Sequence, residues 1–331
     1  MNTILKKVRT FLRGLYRIYN TLKGFSYDFK RFLFYGGWKE NLKDVEARNY
    51  SLMMAYHGLE KSLSYKERNP NSGWSNAERV FYRLMIANKT GNIGFHDRAG
   101  KKVLQKFLSL PVNSEKKRAK EMIEGISLMN FDTKDTNHGA INFPKINFEK
   151  GKLNDPEDFF FSRYSLREFS DEKVNDEVVQ RAIKLAMKTP SVCNRHPWKI
   201  YYSSDFDVVQ KALLHQNGNR PFGKKVQSLL IITTDLKAFF AGAEHYQHWI
   251  DGGLISMSVM YALHSLGVSS CPLNWSQTPK NDKKLRAELN IASNHTIIMM
   301  LAIGYPDIDN MVCSSARRPI NEVLSKLELR K

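Results

Sequence analysis

A layered domain of alternating helices and strands, α/β or α+β, preceded by a mostly helical region, is the fold class this sequence predicts. Three observations lead there. Two apolar runs, 226–234 and 296–303, carry no charge and read as buried strands. Segments with helical periodicity flank them, over 176–188, 205–215, 241–265 and 281–289, so strands and helices alternate. Ahead of residue 130 the periodicity is helical almost throughout, over 49–63, 74–87 and 99–108, and 114–129 is rich in Lys and Glu.

The 331 residues suffice for a sizeable core, and 42% hydrophobic with 25% charged residues is ordinary for a globular chain. No stretch approaches the roughly 18 uninterrupted apolar residues of a spanning helix. Cys193, Cys271 and Cys313 are odd in number and far apart, which fits a reducing compartment and argues against a disulfide framework or zinc ribbon. A net charge of +18 favours an anionic partner: nucleic acid, acidic lipid or a phosphorylated ligand.

Taken in order, the chain divides at about 45, 129 and 155. In 1–45, Val8, Phe11, Leu15, Ile18 and Leu22 recur every three or four residues and draw one apolar stripe, which Leu5, Leu12, Tyr16 and Tyr19 widen. Lys6, Arg13 and Arg17 fall largely elsewhere on the wheel, and Phe25, Phe29, Phe32, Phe34, Tyr35 and Trp38 follow. This is either a helix lying on an anionic membrane surface or one docked on the protein's own core or a partner. Charges interrupt every apolar run, unlike a cleaved signal peptide.

Within 46–129, loops at 69–73 and 90–92 separate the helices. His57, Glu60 and Lys61 lie at i, i+3 and i+4 and share a face, as a surface ion pair or as a substrate-facing set. Over 130–155, Asp132, Gly139, Pro144, Gly151 and Asn154 break any period, giving a linker or strap. In 156–331 the 176–188 helix ends before Pro190. Strands are expected at 198–203 and 269–274 besides the two apolar runs, and 241–265 is a long helix closed by Gly267. A last helix or turn covers 319–327, and no internal repeat is visible.

Two blocks carry the chemistry. In Ser162-Arg163-Tyr164-Ser165-Leu166-Arg167-Glu168-Phe169, an extended backbone would point Arg163, Ser165 and Arg167 the same way. Such a cluster of charge and hydroxyl suits a phosphate and an electron-rich ring oxygen. In Pro190-Ser191-Val192-Cys193-Asn194-Arg195-His196-Pro197-Trp198, a helix gives way to a strand, with Ser191 and Asn194 at one turn. In order and spacing, these blocks resemble the flavin-binding signature of the nitroreductase family, whose members hold FMN at a dimer interface. The resemblance covers roughly 156–331.

It implies an α+β fold: a nitroreductase-like three-layer α/β/α domain with a mixed central sheet. It implies an FMN-dependent oxidoreductase, with NAD(P)H as transient electron donor, an unidentified acceptor and a homodimer with FMN at its interface. Arg163 and Ser165 would hold the phosphate end or the ring edge, and Arg167 would sit near N1 and O2. Pro190, Ser191 and Asn194 would contact the flavin, in many relatives from the opposite subunit. The segment 267–274 resembles the strand beside the isoalloxazine, so Leu273, Asn274 and Trp275 join the cofactor set, with the backbone N–H of Asn274 or Trp275 facing N5. Relatives often carry a small residue where Trp275 stands, and its indole would cover the ring and narrow or shut the pocket. Arg317 and Arg318, before Pro319, match a basic pair that reaches the phosphate, and Asp251-Gly252-Gly253 resembles the family's Asp-x-Gly, where small residues let the dimer helix pack closely. His196 replaces a common Gln and is the one catalytic candidate, as a proton donor, unless it is a turn residue with a satisfied ring. The block around His57 resembles an N-terminal extension on nitroreductase-like proteins associated with bacterial surface-polysaccharide synthesis.

Other chemistries are not expected. His245 and His248 lack a third ligand and a zincin Glu, so no metal is called for. Without a Gly-x-Gly-x-x-Gly after a strand, nicotinamide would bind only transiently. No base-reading motif accompanies the basic surplus, so nucleic acid is not an expected partner. The expected location is cytoplasmic, peripheral on the inner face of the membrane. A flavin-fold scaffold without turnover, docked on membrane or a partner enzyme, is the alternative.

Overall fold

The computed structural model describes residues 2–133 and 138–330. Part of the 130–155 linker, residues 134–137, therefore lies outside the described residues.

The chain opens with α1 (Asn2–Tyr35), about 50 Å long at the usual helical rise. Only its C-terminal part docks. Tyr27 Oη donates to Asp282 Oδ2 at 2.7 Å, Arg31 Nη2 to the His295 carbonyl at 2.9 Å, and Gly37 N–H to the Phe239 carbonyl at 2.9 Å. Phe11, Leu15, Ile18 and Leu22 are exposed on the part that projects. No helix of the described residues is long and apolar enough to cross a membrane.

Next come α2 (Val45–Ser64), α3 (Trp74–Thr90), α4 (Phe95–Leu108), α5 (Pro111–Ser114) and α6 (Lys117–Ser127). Asp44 caps α2 by accepting from the Glu46 and Ala47 N–H groups, and Gly91 closes α3 at φ +69°. Leu52, Leu59, Leu84, Leu104 and Phe107 form one core among these helices. At its edge Arg48 grips Asp97 through two bonds, of 3.1 and 2.9 Å, with both side chains fully buried. Gly58 permits the close approach of α2 to Asn76. The strap that follows carries α7 (Lys145–Glu149), and α8 (Pro156–Phe161) begins the second half.

That half is built on β1 (Trp198–Ser203), β2 (Ser228–Asp235), β3 (Ser269–Asn274) and β4 (His295–Gly304), in the order β1-β2-β4-β3. Every residue of β2 is buried, as an uncharged apolar run requires of a central strand. On one face Leu229, Ile231 and Met300 meet Val209 of α10 (Phe206–Leu213) and Leu285 of α12 (Pro279–Glu288). On the other, Leu230, Ile232 and Leu301 meet Val179 of α9 (Asp176–Ala186) and Val259 of α11 (Gln247–Ser265). Three layers result. All pairings among the four strands are antiparallel, and the parallel component expected of a mixed sheet is reduced to a single bridge between Ser165 and Ser270.

One helix differs from expectation, and one open alternative is decided. The 241–265 segment breaks into a short turn, Gly242–Glu244, before α11. The 319–327 segment, expected as a helix or turn, forms the turn Ile320–Glu322, and Ile320, Val323 and Leu324 stay exposed.

Candidate active site

The first block lies along the outer edge of β3. The Leu166 N–H donates to the Ser270 carbonyl at 3.2 Å, and the Ser170 N–H to the Tyr305 carbonyl at 3.0 Å. The Ser165–Ser270 bridge is isolated: Phe169 already bridges Pro306, just past the Ser269–Gly304 end of the β3–β4 pair, so the block turns away from Asn274, and Arg167 is within electrostatic range of Cys271. The structure thus brings Arg163, Ser165 and Arg167 to the Ser269–Cys271 end of β3, whereas Leu273 and Asn274 lie toward its other end. Arg163 enters the wall of a cavity of about 320 Å³ with Ser162, His264, Ser269, Asn310 and Val312. Its Nη1 is buried and has no hydrogen-bond partner among the described residues. Arg167 is exposed beside that cavity, its Nη1 3.4 Å from the Ser165 carbonyl and 3.8 Å from Cys313 Sγ.

The remaining residues of this set depart from expectation in instructive ways. Leu273 is 4% exposed and its side chain fills the core, so only its backbone can face a ligand. The Trp275 indole does not cover the edge: its Nε1 donates to Asp282 Oδ1 at 2.9 Å, drawing it toward α12 and the Tyr27–Arg31 stretch of α1. Arg317 donates to the Ser315 carbonyl, and both Arg317 and Arg318 are exposed outside the wall of the Arg163 cavity. The 306–313 stretch before them does pass over the first block, but the chain beyond it has little of its own subunit to rest on.

The second block sits at the opposite edge, just before β1. Pro190 is exposed after α9. The Val192 N–H points at both carboxylate oxygens of the buried Asp251, 3.3 Å from each. Cys193, Asn194 and His196 all take positive φ, at 49°, 56° and 47°, a conformation few side chains tolerate. Ser191 Oγ accepts the His196 N–H at 3.0 Å, Asn194 Oδ1 lies 2.8 Å from His196 Nε2, and the imidazole stacks on Trp198 at 5.3 Å. Burial pushes the His196 pKa down and His57 adds to this, while Glu60 opposes it.

Arg195, between these residues, escaped sequence reasoning. It is fully buried, with Nη1 2.6 Å from the Ala238 carbonyl and Nη2 2.5 Å from Glu244 Oε1, so it anchors the turn from below. An Arg in a polar block reads as surface, and only the distant Glu244 marks it otherwise.

Helix α11 measures the gap between the two blocks. Asp251, near its start, holds the second block; His264, near its end, lies 3.0 Å from Ser162 Oγ of the first. The span is about 20 Å. Within one chain the blocks do not meet. Gly252 is explained by its own chain, since a Cβ there would run into Ile298 of β4, whereas Gly253 faces open space beside exposed Ile250 and Leu254. Among the described residues no cluster of three or more metal-ligating side chains occurs.

Residues 161–215 and 204–305 match the model of the nitroreductase family. A candidate NADH dehydrogenase/NAD(P)H nitroreductase of Archaeoglobus fulgidus is 25% identical over 150 residues, 44% of this chain and 82% of that protein. The iodotyrosine deiodinase of Hydra vulgaris is 24% identical over 229 residues, 56% of this chain and 82% of its own. A candidate nitroreductase of Desulfovibrio desulfuricans, solved in complex with FMN, superimposes with a TM-score of 0.46 at 19% identity, covering 54% of this chain and all of that one. On the family match, the C-terminal half of the chain, from residue 161 to residue 305, belongs to the nitroreductase family.

Proposed function

We propose that the protein is an FMN-dependent oxidoreductase that takes electrons from NAD(P)H and passes them to a second acceptor. The observation that carries this reading is the buried Nη1 of the half-buried Arg163, which lacks a partner among the described residues at the wall of a cavity rich in hydroxyls. A buried, unpaired donor on a cation is costly unless a ligand satisfies it, and a phosphate does so. The donor set therefore fits the phosphorylated end of FMN. When bound, FMN supplies the hydride chemistry. Arg163 would hold the phosphate end, Arg167 would stabilise negative charge at the ring edge, and the backbone at Asn274 and Trp275 would donate toward the ring.

The second block contributes from another copy in this reading. The separation of the blocks along α11, and the unpartnered Gly253 face, support a homodimer with FMN at its interface. The projecting half of α1 carries Lys6, Lys7, Arg9, Arg13, Arg17 and Lys23 with no acidic residue before Asp28, which supports docking on an anionic membrane from the cytoplasmic side. An acceptor tied to cell-surface polysaccharide synthesis is consistent with that location. Anaerobic addition of NADH or NADPH to FMN-loaded protein tests the reading: bleaching of the flavin absorbance is expected. Bound flavin that neither donor reduces would instead mark a scaffold.

A further inference from the structure

The residues at i and i+3 on α2 are not a bare surface pair. His57 Nδ1 lies 3.2 Å from Glu60 Oε2, with the two side chains 25% and 21% exposed, and Glu60 Oε1 accepts the Gly139 N–H at 3.2 Å. The same helix packs on the Val192–Asn194 turn of the second block. His57 and Glu60 are within electrostatic range of His196; His96 is within range of His196 and His138, and Glu60 of His138. His96 is held by the Tyr56 hydroxyl at 2.9 Å, and Phe95 sits edge-on to both His96 and His138. Four imidazoles and one carboxylate, drawn from α2, α4, the strap and the second block, thus gather at the junction of the two halves. Asp97, the other acid near His96, is already committed to Arg48.

The His196 ring has a definite polarity. With Asn194 Oδ1 as acceptor, Nε2 carries the hydrogen, so in the neutral ring Nδ1 is a lone pair. His196 becomes a donor through Nδ1 only as imidazolium, and its surroundings decide how often that form exists.

We infer that the N-terminal helical region completes the acid–base site of the flavin domain: Glu60 and His57 are positioning residues that govern protonation of His196, which gives a proton to an oxygen-bearing acceptor such as a quinone. The inference rests on the reductase reading above. In the step, the Nδ1–H bond of the imidazolium breaks, an O–H bond forms on the acceptor and the ring returns to neutral. The electron pair is the one NAD(P)H delivers in the proposed reaction.

The test is an NMR titration of the His196 ring in the full-length, flavin-free protein. His57→Gln should raise its midpoint, and Glu60→Gln should lower it, while Glu60→Asp keeps the charge and the wild-type midpoint. The acid limb of p-benzoquinone reduction by FMN-loaded protein should move in the same directions, and His196→Gln should lower turnover about 100-fold with FMN content unchanged. A His196 midpoint indifferent to both substitutions overturns the inference. Coupled titration in a protein that never takes up flavin would instead overturn the reductase reading, and with it the acceptor role.

Discussion

Ser165 and Ser270 form a parallel bridge at the outer edge of β3, and this one pairing sets where Arg163 and Arg167 stand. Arg163 falls beside the Ser269–Ser270 end of the strand, at the wall of a cavity, and Arg167 stands exposed near Cys271 and Cys313. The two guanidinium groups thus differ in surroundings, one with a buried Nη1 at a cavity wall and the other in solvent.

Truncating these arginines should separate the two roles. A charge-assisted hydrogen bond contributes about 1.5–3 kcal/mol, so Arg163→Ala should weaken FMN binding by about 10- to 100-fold. Arg167→Ala should slow reduction by NAD(P)H more than it weakens binding. Fluorescence titration with FMN and stopped-flow reduction measure the two effects. Unchanged binding in Arg163→Ala would remove the phosphate assignment.

The adjacent glycines of α11 should respond in opposite ways. A Cβ at Gly252 meets Ile298, so Gly252→Ala should lower the melting temperature despite alanine's helix preference of about 1 kcal/mol. Gly253→Glu meets open space in the single chain. It should leave each chain folded, convert a dimer to monomer in sedimentation, and reduce flavin uptake, because the second block then has no partner cavity to complete.

Deleting residues 1–23 should abolish sedimentation with vesicles containing phosphatidylserine and leave flavin binding intact. A longer deletion, through Trp38, removes the Tyr27–Asp282 and Arg31–His295 contacts and should destabilise α12 and the start of β4, which they hold. Vesicle binding that survives the short deletion would place the membrane contact elsewhere.

Acid should destabilise the fold through buried histidines. Burial pushes His96, His248 and His295 from 6.5 down to about 4. Between those values the unfolded chain binds protons that the folded chain refuses, so stability falls as pH drops from 6.5 and levels off below 4. None of the three adds a pH dependence above about 7. Thermal melts across this range check the slope, and His248→Phe should flatten it.

How much was legible in the sequence depended on how local each signal was. The uncharged runs around β2 and β4 announce buried strands because both of their faces meet apolar layers. Arg163 and Arg167 were legible as a pair because a single extended segment carries both. Of the helix or turn open to 319–327, the turn formed, since an apolar period makes a helix only where something covers its stripe, and Ile320 and Leu324 are bare. Trp275 was misjudged because its indole answers to Asp282, seven residues on, rather than to the strand edge. His57 and Glu60 could be paired by spacing alone, but their approach to His196 depends on how two halves of the chain pack, which no local period encodes.

The most direct measurement is an equilibrium titration of the flavin-free protein with FMN and, in parallel, with riboflavin. One FMN per chain is expected, with riboflavin bound at least about tenfold more weakly, because in this account the phosphate satisfies the buried Nη1 of Arg163. Failure to bind FMN, or equal affinity for the two flavins, would contradict it.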